Sequence, residues 1–210
     1  RNEIPEIKNT FMYYSLSMTV NYADKVFTED LQLADPQLFE MFDFEFIDGN
    51  PKHVFDELKS MVITDKMAKK LFDEEDPMGE IITLNNDMKF KVTGIIKETP
   101  KNSSFRFDMC FPFENIEEMG FTINRYGWNS YYVYVELGDN INYNDVNIKI
   151  KKYLENKARE QQIAGGEESY DADIDLFLFP LEKIHLYSYR EGKGAIQFIY
   201  IFSAIAIFII

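Results

Sequence analysis

The last sixteen residues, Ala195 to Ile210, contain no Asp, Glu, Lys or Arg, and only Gln197 and Ser203 are strongly polar. Spanning the hydrocarbon core of a bilayer takes about 20 apolar residues in a helix, so the run fits the start of a membrane helix. A buried core helix or strand is the bland alternative, because short apolar runs carry no decisive period and Ile and Phe are β-formers. The absence of a charged face, and the polar Arg190-Glu191-Gly192-Lys193-Gly194 linker just before it, favour the membrane. Its expected membrane-embedded residues are Phe198, Ile199, Ile201, Phe202, Ile205, Ile207 and Phe208. The remaining sequence must then fold outside the bilayer.

That remainder is acidic. With 36 Asp and Glu against 22 Lys and Arg, the 210-residue chain carries a net charge of −14. Phosphate backbones and anionic lipid surfaces would repel it, so nucleic acid is not an expected partner. An aromatic content of 16 % separates the chain from disordered acidic segments, which lack the apolar mass to form a core. Cys110 is the single cysteine and cannot form an intrachain disulfide, which leaves the compartment open.

Two β-rich runs, Phe11 to Val20 and Lys25 to Ala34, flank a turn at Asn21-Tyr22-Ala23-Asp24 and predict a hairpin. Asp35-Pro36 reads as an N-cap and first helical position for a short helix presenting Leu38, Phe39, Met41 and Phe42. Asp48-Gly49-Asn50-Pro51 is a breaker cluster. The strand Met61-Val62-Ile63 runs into Thr64, which can cap a helix over Asp65 to Phe72. A second hairpin follows, Ile81 to Leu84 and Met88 to Ile96. Further strands are expected at Phe105 to Phe113 and at Trp128 to Leu137, the latter with Tyr131, Val133, Val135 and Leu137 on one face. A helix capped by Asn144 or Asp145 then buries Val146, Ile150, Tyr153 and Leu154, and Leu176 to Phe179 reads as a last strand. The fold class is α+β, a mixed α/β arrangement.

Motifs that carry chemistry are mostly missing. His53, His185 and Cys110 are too dispersed to form a zinc site. Asp171-Ala172-Asp173-Ile174-Asp175 lacks the glycine and bidentate glutamate of a calcium loop. Gly192-Lys193-Gly194 is no phosphate loop, and no nucleophile elbow surrounds any serine. The Asp73-Glu74-Glu75-Asp76 run reads as a solvated helix end, and Asn102-Ser103-Ser104 matches a glycosylation sequon only by a short pattern. No catalytic residue, no metal ligand and no cofactor-binding residue is therefore assigned, and the chain is not expected to be an enzyme.

The segment Asp35-Pro36-Gln37-Leu38-Phe39-Glu40-Met41-Phe42, continuing to Asp48-Gly49-Asn50-Pro51, resembles extracytoplasmic domains of FtsX-like ABC-transporter permeases. Val62 to Phe72, then Asp76-Pro77-Met78-Gly79 and Val92-Thr93-Gly94-Ile95-Ile96, is similar to the MacB-type periplasmic core domain. Pro180-Leu181-Glu182-Lys183-Ile184-His185 resembles the branch of these permeases common in Bacteroidetes-type bacteria. The matching positions are Pro36, Phe39, Phe42, Gly49, Ala68, Leu71, Phe72, Asp76, Pro77, Gly79, Val92, Gly94, Pro180, Leu181 and His185, all in structural roles. Leu38 stands where the family writes a first phenylalanine.

The resemblance implies two subdomains. A porter-like α/β piece would comprise residues 1–34 and 128–190, incomplete at its N-terminus, with a sabre-like, mostly β piece inserted at 35–127 and a truncated membrane helix at 195–210. It also implies a bacterial inner-membrane permease with this domain on the periplasmic side, partnered by an ABC ATPase that binds the ATP, and by a second permease copy. A periplasmic adaptor or lipoprotein is a further candidate partner. Coupling of ATP-driven motion to export, extraction or mechanotransmission is the implied function. The alternatives are a membrane-tethered ligand-binding or sensor domain with an aromatic cleft, and an envelope hydrolase using carboxylates.

Overall fold

The computed structural model describes residues 3–100, 102–120, 131–163 and 176–184, with Tyr187 and Ile196. Internal contacts divide the chain into a unit spanning Ile7–Glu136 and a second unit of Asn2–Glu6 with Leu137–Ile210.

The first unit opens with the hairpin β1 (Ile7–Tyr22) and β2 (Lys25–Ala34), in register from Tyr22 opposite Lys25 back to Tyr13 opposite Ala34. There follow α1 (Leu38–Met41), β3 (Phe46–Asp48), β4 (Ser60–Thr64), α2 (Asp65–Phe72), β5 (Ile81–Leu84) and β6 (Met88–Ile96). β7 (Met109–Pro112), a 3-10 turn at Phe113–Ile116 and β8 (Tyr132–Leu137) complete it. The pairings close into a ring, β1–β2–β7–β4–β6–β5 and back to β1, with β3 added on β6 and β8 on β1. β2–β7 and β4–β6 are parallel; the other ring pairs are antiparallel. Closure is made where Val20 pairs with Phe27 of β2 on one edge and Leu84 of β5 on the other. A ring leaves no exposed edge at its joints, which removes the usual route to intermolecular strand pairing.

Alternation fills this ring. Met18, Val20, Leu31, Leu33, Met61, Ile63, Ile82, Leu84, Phe90, Val92, Met109 and Phe111 form one buried cluster with Met67, Leu71 and Phe72 of α2. β4, between β6 and β7, is buried at every position, which is why its sequence shows no polar alternation. Thr64 caps α2 by accepting from the Met67 N–H at 3.1 Å, and its hydroxyl donates to the Asp108 carboxylate at 3.0 Å. At the other end of α2, Lys25 Nζ donates to the carbonyls of Lys70 and Leu71 (3.1 and 2.9 Å) and to the Asp73 carboxylate (2.8 Å). A cation thus sits on carbonyls the helix cannot satisfy itself.

Several expectations are revised. The sheet crosses the anticipated subdomain boundary at Ala34/Asp35: the hairpin of residues 7–34 pairs with β5 and β7, so it belongs to the same unit as residues 60–112. The strand expected from Phe105 begins only at Met109, Phe105 to Asp108 being irregular. In β8 the inward ring is Tyr134, stacked on Phe11 at 4.9 Å, while Val133 is 55 % exposed; the large aromatic contact sets the face. Asp35 does not cap α1, whose capping position is Gln37. Instead its carboxylate accepts from the Met12 N–H at 2.7 Å and its own N–H donates to the Met12 carbonyl at 3.2 Å, prolonging the β1–β2 ladder by one side-chain bond.

In the second unit α3 (Tyr143–Ile163) buries Val146 and Ile150 as its stripe predicts. Its entry is fixed by Asn142, whose side chain accepts from the Asn144 N–H at 3.0 Å, in place of a cap from Asn144 or Asp145. Residues 176–179 form no strand. Asn147 takes the place of a strand partner: its amide accepts from the Leu178 N–H at 2.6 Å and donates to the Leu178 carbonyl at 3.2 Å. Gly138 N–H donates to the Glu6 carbonyl at 2.9 Å, and the Glu6 carboxylate pairs with Lys149, which holds its pKa below the usual value.

Two glycines bring the β3 loop onto β6. At Gly49 (φ +90°) a Cβ would lie 2.6 Å from the Thr93 carbonyl and 2.8 Å from the Gly94 Cα; at Gly94 it would lie 2.9 Å from Val54 Cγ1. Gly79 has a similar φ of +83° but open space around it. Gly79→Ala should therefore cost only the left-handed strain of about 1–2 kcal/mol. Gly49→Ala should cost that plus about 1–3 kcal/mol of forced main-chain displacement, read as a larger fall in urea midpoint. Equal midpoints for the two variants would refute the close approach.

Asp35 supplies a pH signature. Burial raises its pKa above the usual 3.8, opposed by the Met12 N–H and reinforced by the charge of Glu114. The folded chain then binds this proton more tightly than the unfolded one, so the residue supports folding most below pH 3.8 and loses that contribution as pH rises through its folded pKa. Asp35→Asn should consequently gain melting temperature relative to the wild type as pH is raised from about 4 to 7. A gap that narrows or reverses on raising the pH would overturn the assignment.

Candidate functional site

The titratable residues that could hold a metal do not converge. Among the described residues no group of three His, Cys, Asp or Glu side chains has a ligating arrangement. His53 pairs with the neighbouring Asp56 at 2.9 Å on an exposed turn. Cys110 is buried, and burial pushes its thiol pKa up, away from thiolate chemistry. His185, the Asp171–Asp175 run, Gly192-Lys193-Gly194 and the positions from Phe198 to Phe208 that the sequence leads one to expect in a membrane lie outside the described residues. Among the described residues no helix is long and apolar enough to cross a membrane.

The described positions of the motif act as joints and core. Pro36 leads into α1, and Phe39 and Phe42 on either end of that turn anchor two aromatic groups. Phe39 meets Phe44, Phe46 and Phe55 at ring separations of 5.4, 5.4 and 5.3 Å. Phe42 packs on Phe105 at 4.4 Å and on Phe11 at 5.9 Å, and Phe11 in turn stacks on Tyr134. These rings fill one another's faces, so the aromatic residues form packing layers and not an open cleft here. Leu71 and Phe72 are in the main core with Ala68 packed against it, and Phe72 meets Tyr22 at 4.4 Å.

Asp76-Pro77-Met78-Gly79 is a hydrogen-bonded turn. The Asp76 carboxylate accepts from the Met78 N–H at 3.0 Å, and the Pro77 carbonyl from the Glu80 N–H at 3.2 Å. It is sewn to β6 where the Gly79 N–H donates to the Val92 carbonyl (2.8 Å) and the Val92 N–H to the Glu80 carbonyl (2.9 Å). Gly49, Gly79, Val92 and Gly94 are thus gathered along β6, whereas Pro180 and Leu181 belong to the second unit at a 3-10 turn, Leu181–Lys183.

Lys25 and Asn147 were not singled out by sequence, and Asp35 was read as a helix cap, because each acts on main-chain groups distant in the chain. The first unit also has a shallow cleft of ≈ 420 Å³ bordered by Leu16, Ser17, Met18, Asn85, Asp87, Met88 and Met119. Its described lining mixes Leu16 and three methionines with the polar Ser17, Asn85 and Asp87.

The MacB-like periplasmic core domain profile matches residues 1–153. A search of curated proteins finds no match. Among solved structures, a domain of a permease protein from Porphyromonas gingivalis aligns with TM-score 0.63 at 21 % identity, covering 87 % of this chain and 81 % of that one. The periplasmic region of MacB from Actinobacillus actinomycetemcomitans aligns with TM-score 0.56 at 16 % identity, covering 77 % and 78 %. The extracellular domain of the ABC-type transporter YknZ from Gram-positive bacteria aligns with TM-score 0.50 at 21 % identity, covering 79 % and 81 %. At these identities the structural likeness speaks for a shared mixed α/β fold. The profile match, which spans well over half of the sequence, establishes that the chain belongs to the family of MacB-like periplasmic core domains.

Proposed function

We propose that this domain stands on the periplasmic side of a bacterial inner membrane as part of an ABC-transporter permease, and couples ATP-driven motion of a partner ATPase to export, extraction or mechanotransmission. The family match over residues 1–153 carries this reading. Two features support it. The charge-free run from Ala195 to Ile210 supplies the expected link to the bilayer. The closed strand circuit with α2 packed into its core suits an element that moves as a body, since close-packed interiors resist deformation and transmit strain.

In this reading the domain performs no catalysis and holds no cofactor for ATP chemistry; ATP sits on the ATPase. A second permease copy completes the assembly, and an adaptor or lipoprotein docks on the periplasmic side. Affinity purification of the full-length protein from its native membrane tests the assignment. An ABC ATPase, fused or separate, is expected in the preparation, together with further membrane helices in the same polypeptide. Finding neither ATPase nor further helices would overturn it.

A further inference from the structure

We propose that the cleft of the first unit is a binding site for a soft monovalent cation of the Cu(I) class, held by the thioethers of Met18, Met88 and Met119. The chain contains nine methionines, and three of them border this one cleft. They come from three separate pieces of chain: the middle of β1, the first residue of β6, and the segment after the Phe113–Ile116 turn. Asn85 holds two of these pieces together. Its side chain accepts from the Thr19 N–H at 3.0 Å, and its own N–H donates to the Thr19 carbonyl at 2.9 Å, fixing the β5–β6 turn beside β1.

Met18 belongs to the main core, and Met88 and Met119 are half-buried against that core. All three are anchored in apolar packing; Met18 is 2 % exposed, and the half-buried Met88 and Met119 are the two that the cleft keeps within reach of solvent. Thioether sulfur is a soft donor that selects Cu(I) over hard or borderline divalent ions. Methionine has three rotatable bonds, so thioethers carried by three segments that border one cleft can adjust toward a shared ion. Among the described residues the lining offers no histidine, no cysteine and a single carboxylate, Asp87, a donor set too poor for Zn(II) or Ca(II). Asp87 instead supplies a compensating negative charge at the rim.

The test uses Ag(I), the air-stable analogue of Cu(I), titrated into the full chain labelled with ¹³C at methionine methyls, in a Cys110→Ala background that removes the only thiol. One saturable equivalent is expected by calorimetry, with the methyl signals of Met18, Met88 and Met119 shifting and the other six holding still. Met88→Leu combined with Met119→Leu replaces half-buried side chains by near-isosteres, and an unchanged melting curve verifies that fold. It should weaken Ag(I) binding by more than about tenfold, the lower range of what loss even of outer-shell support costs a metal site. Anaerobic Cu(I) should compete for the same signals, and Zn(II) and Ca(II) should leave them in place. No saturable binding, shifts centred on other methionines, or undiminished affinity in the double variant would each overturn the site.

Discussion

Val20 and Asn21 are hydrogen-bonded along both edges, to β2 on one side and to β5 on the other, and this double engagement turns a row of strands into a closed circuit. The rest of the first unit depends on it. With the circuit shut, inward residues of six strands share one interior, and the Met18–Phe111 cluster can be continuous across elements far apart in sequence. The outer faces of β1, β4 and β7 then need cover of their own. For β1, Phe42 and Phe105 supply it by packing on Phe11, and Phe105 also meets Tyr13, which gives phenylalanines in segments with little regular structure a packing role.

Polar groups in this scheme act where the backbone runs out of partners. Lys25 reaches from one hairpin to the carbonyl end of α2; Thr64 serves the amide end of that helix; Asp35 lends a carboxylate where the ladder ends; Asn147 stands in for a missing strand. Each joins segments that are distant in sequence or closes an element at its terminus. An unsatisfied main-chain group in such a place costs as much as a lost hydrogen bond, so these single side chains have large structural leverage.

Much of this was legible in the sequence. The hairpin, α2 with its Thr64 cap, β5 and β6 follow from period, turn residues and capping, all local signals. The glycine and aspartate turns were visible as breakers, although their purpose, letting the β3 loop and the Asp76–Gly79 turn lie against β6, was not. What escaped was non-local. Periodicity grouped Val133 with Tyr131, Val135 and Leu137 on one face of β8, and only the partner ring of Phe11 makes the face of Tyr134 a packed one. The 176–179 segment has strand-like composition but, among the described residues, no strand beside it, only one asparagine side chain on a helix. Sequence order likewise says nothing of β2 meeting β7 across the Ala34/Asp35 junction. Nor could the three methionines of the cleft be grouped before the fold brought them together.

The β2–β7 pairing has one more consequence. Gln32 lies opposite Cys110, a separation of 110 − 32 = 78 residues, and the pair is parallel, so no tight turn can deliver it. An emerging chain can form its first hairpin at once but cannot complete the circuit until Pro112 has been made. Until then that hairpin has an unsatisfied edge and a greasy underside. Long-range closure of this kind is slow compared with local folding, so the order in which the chain is made leaves the hairpin waiting for its partners.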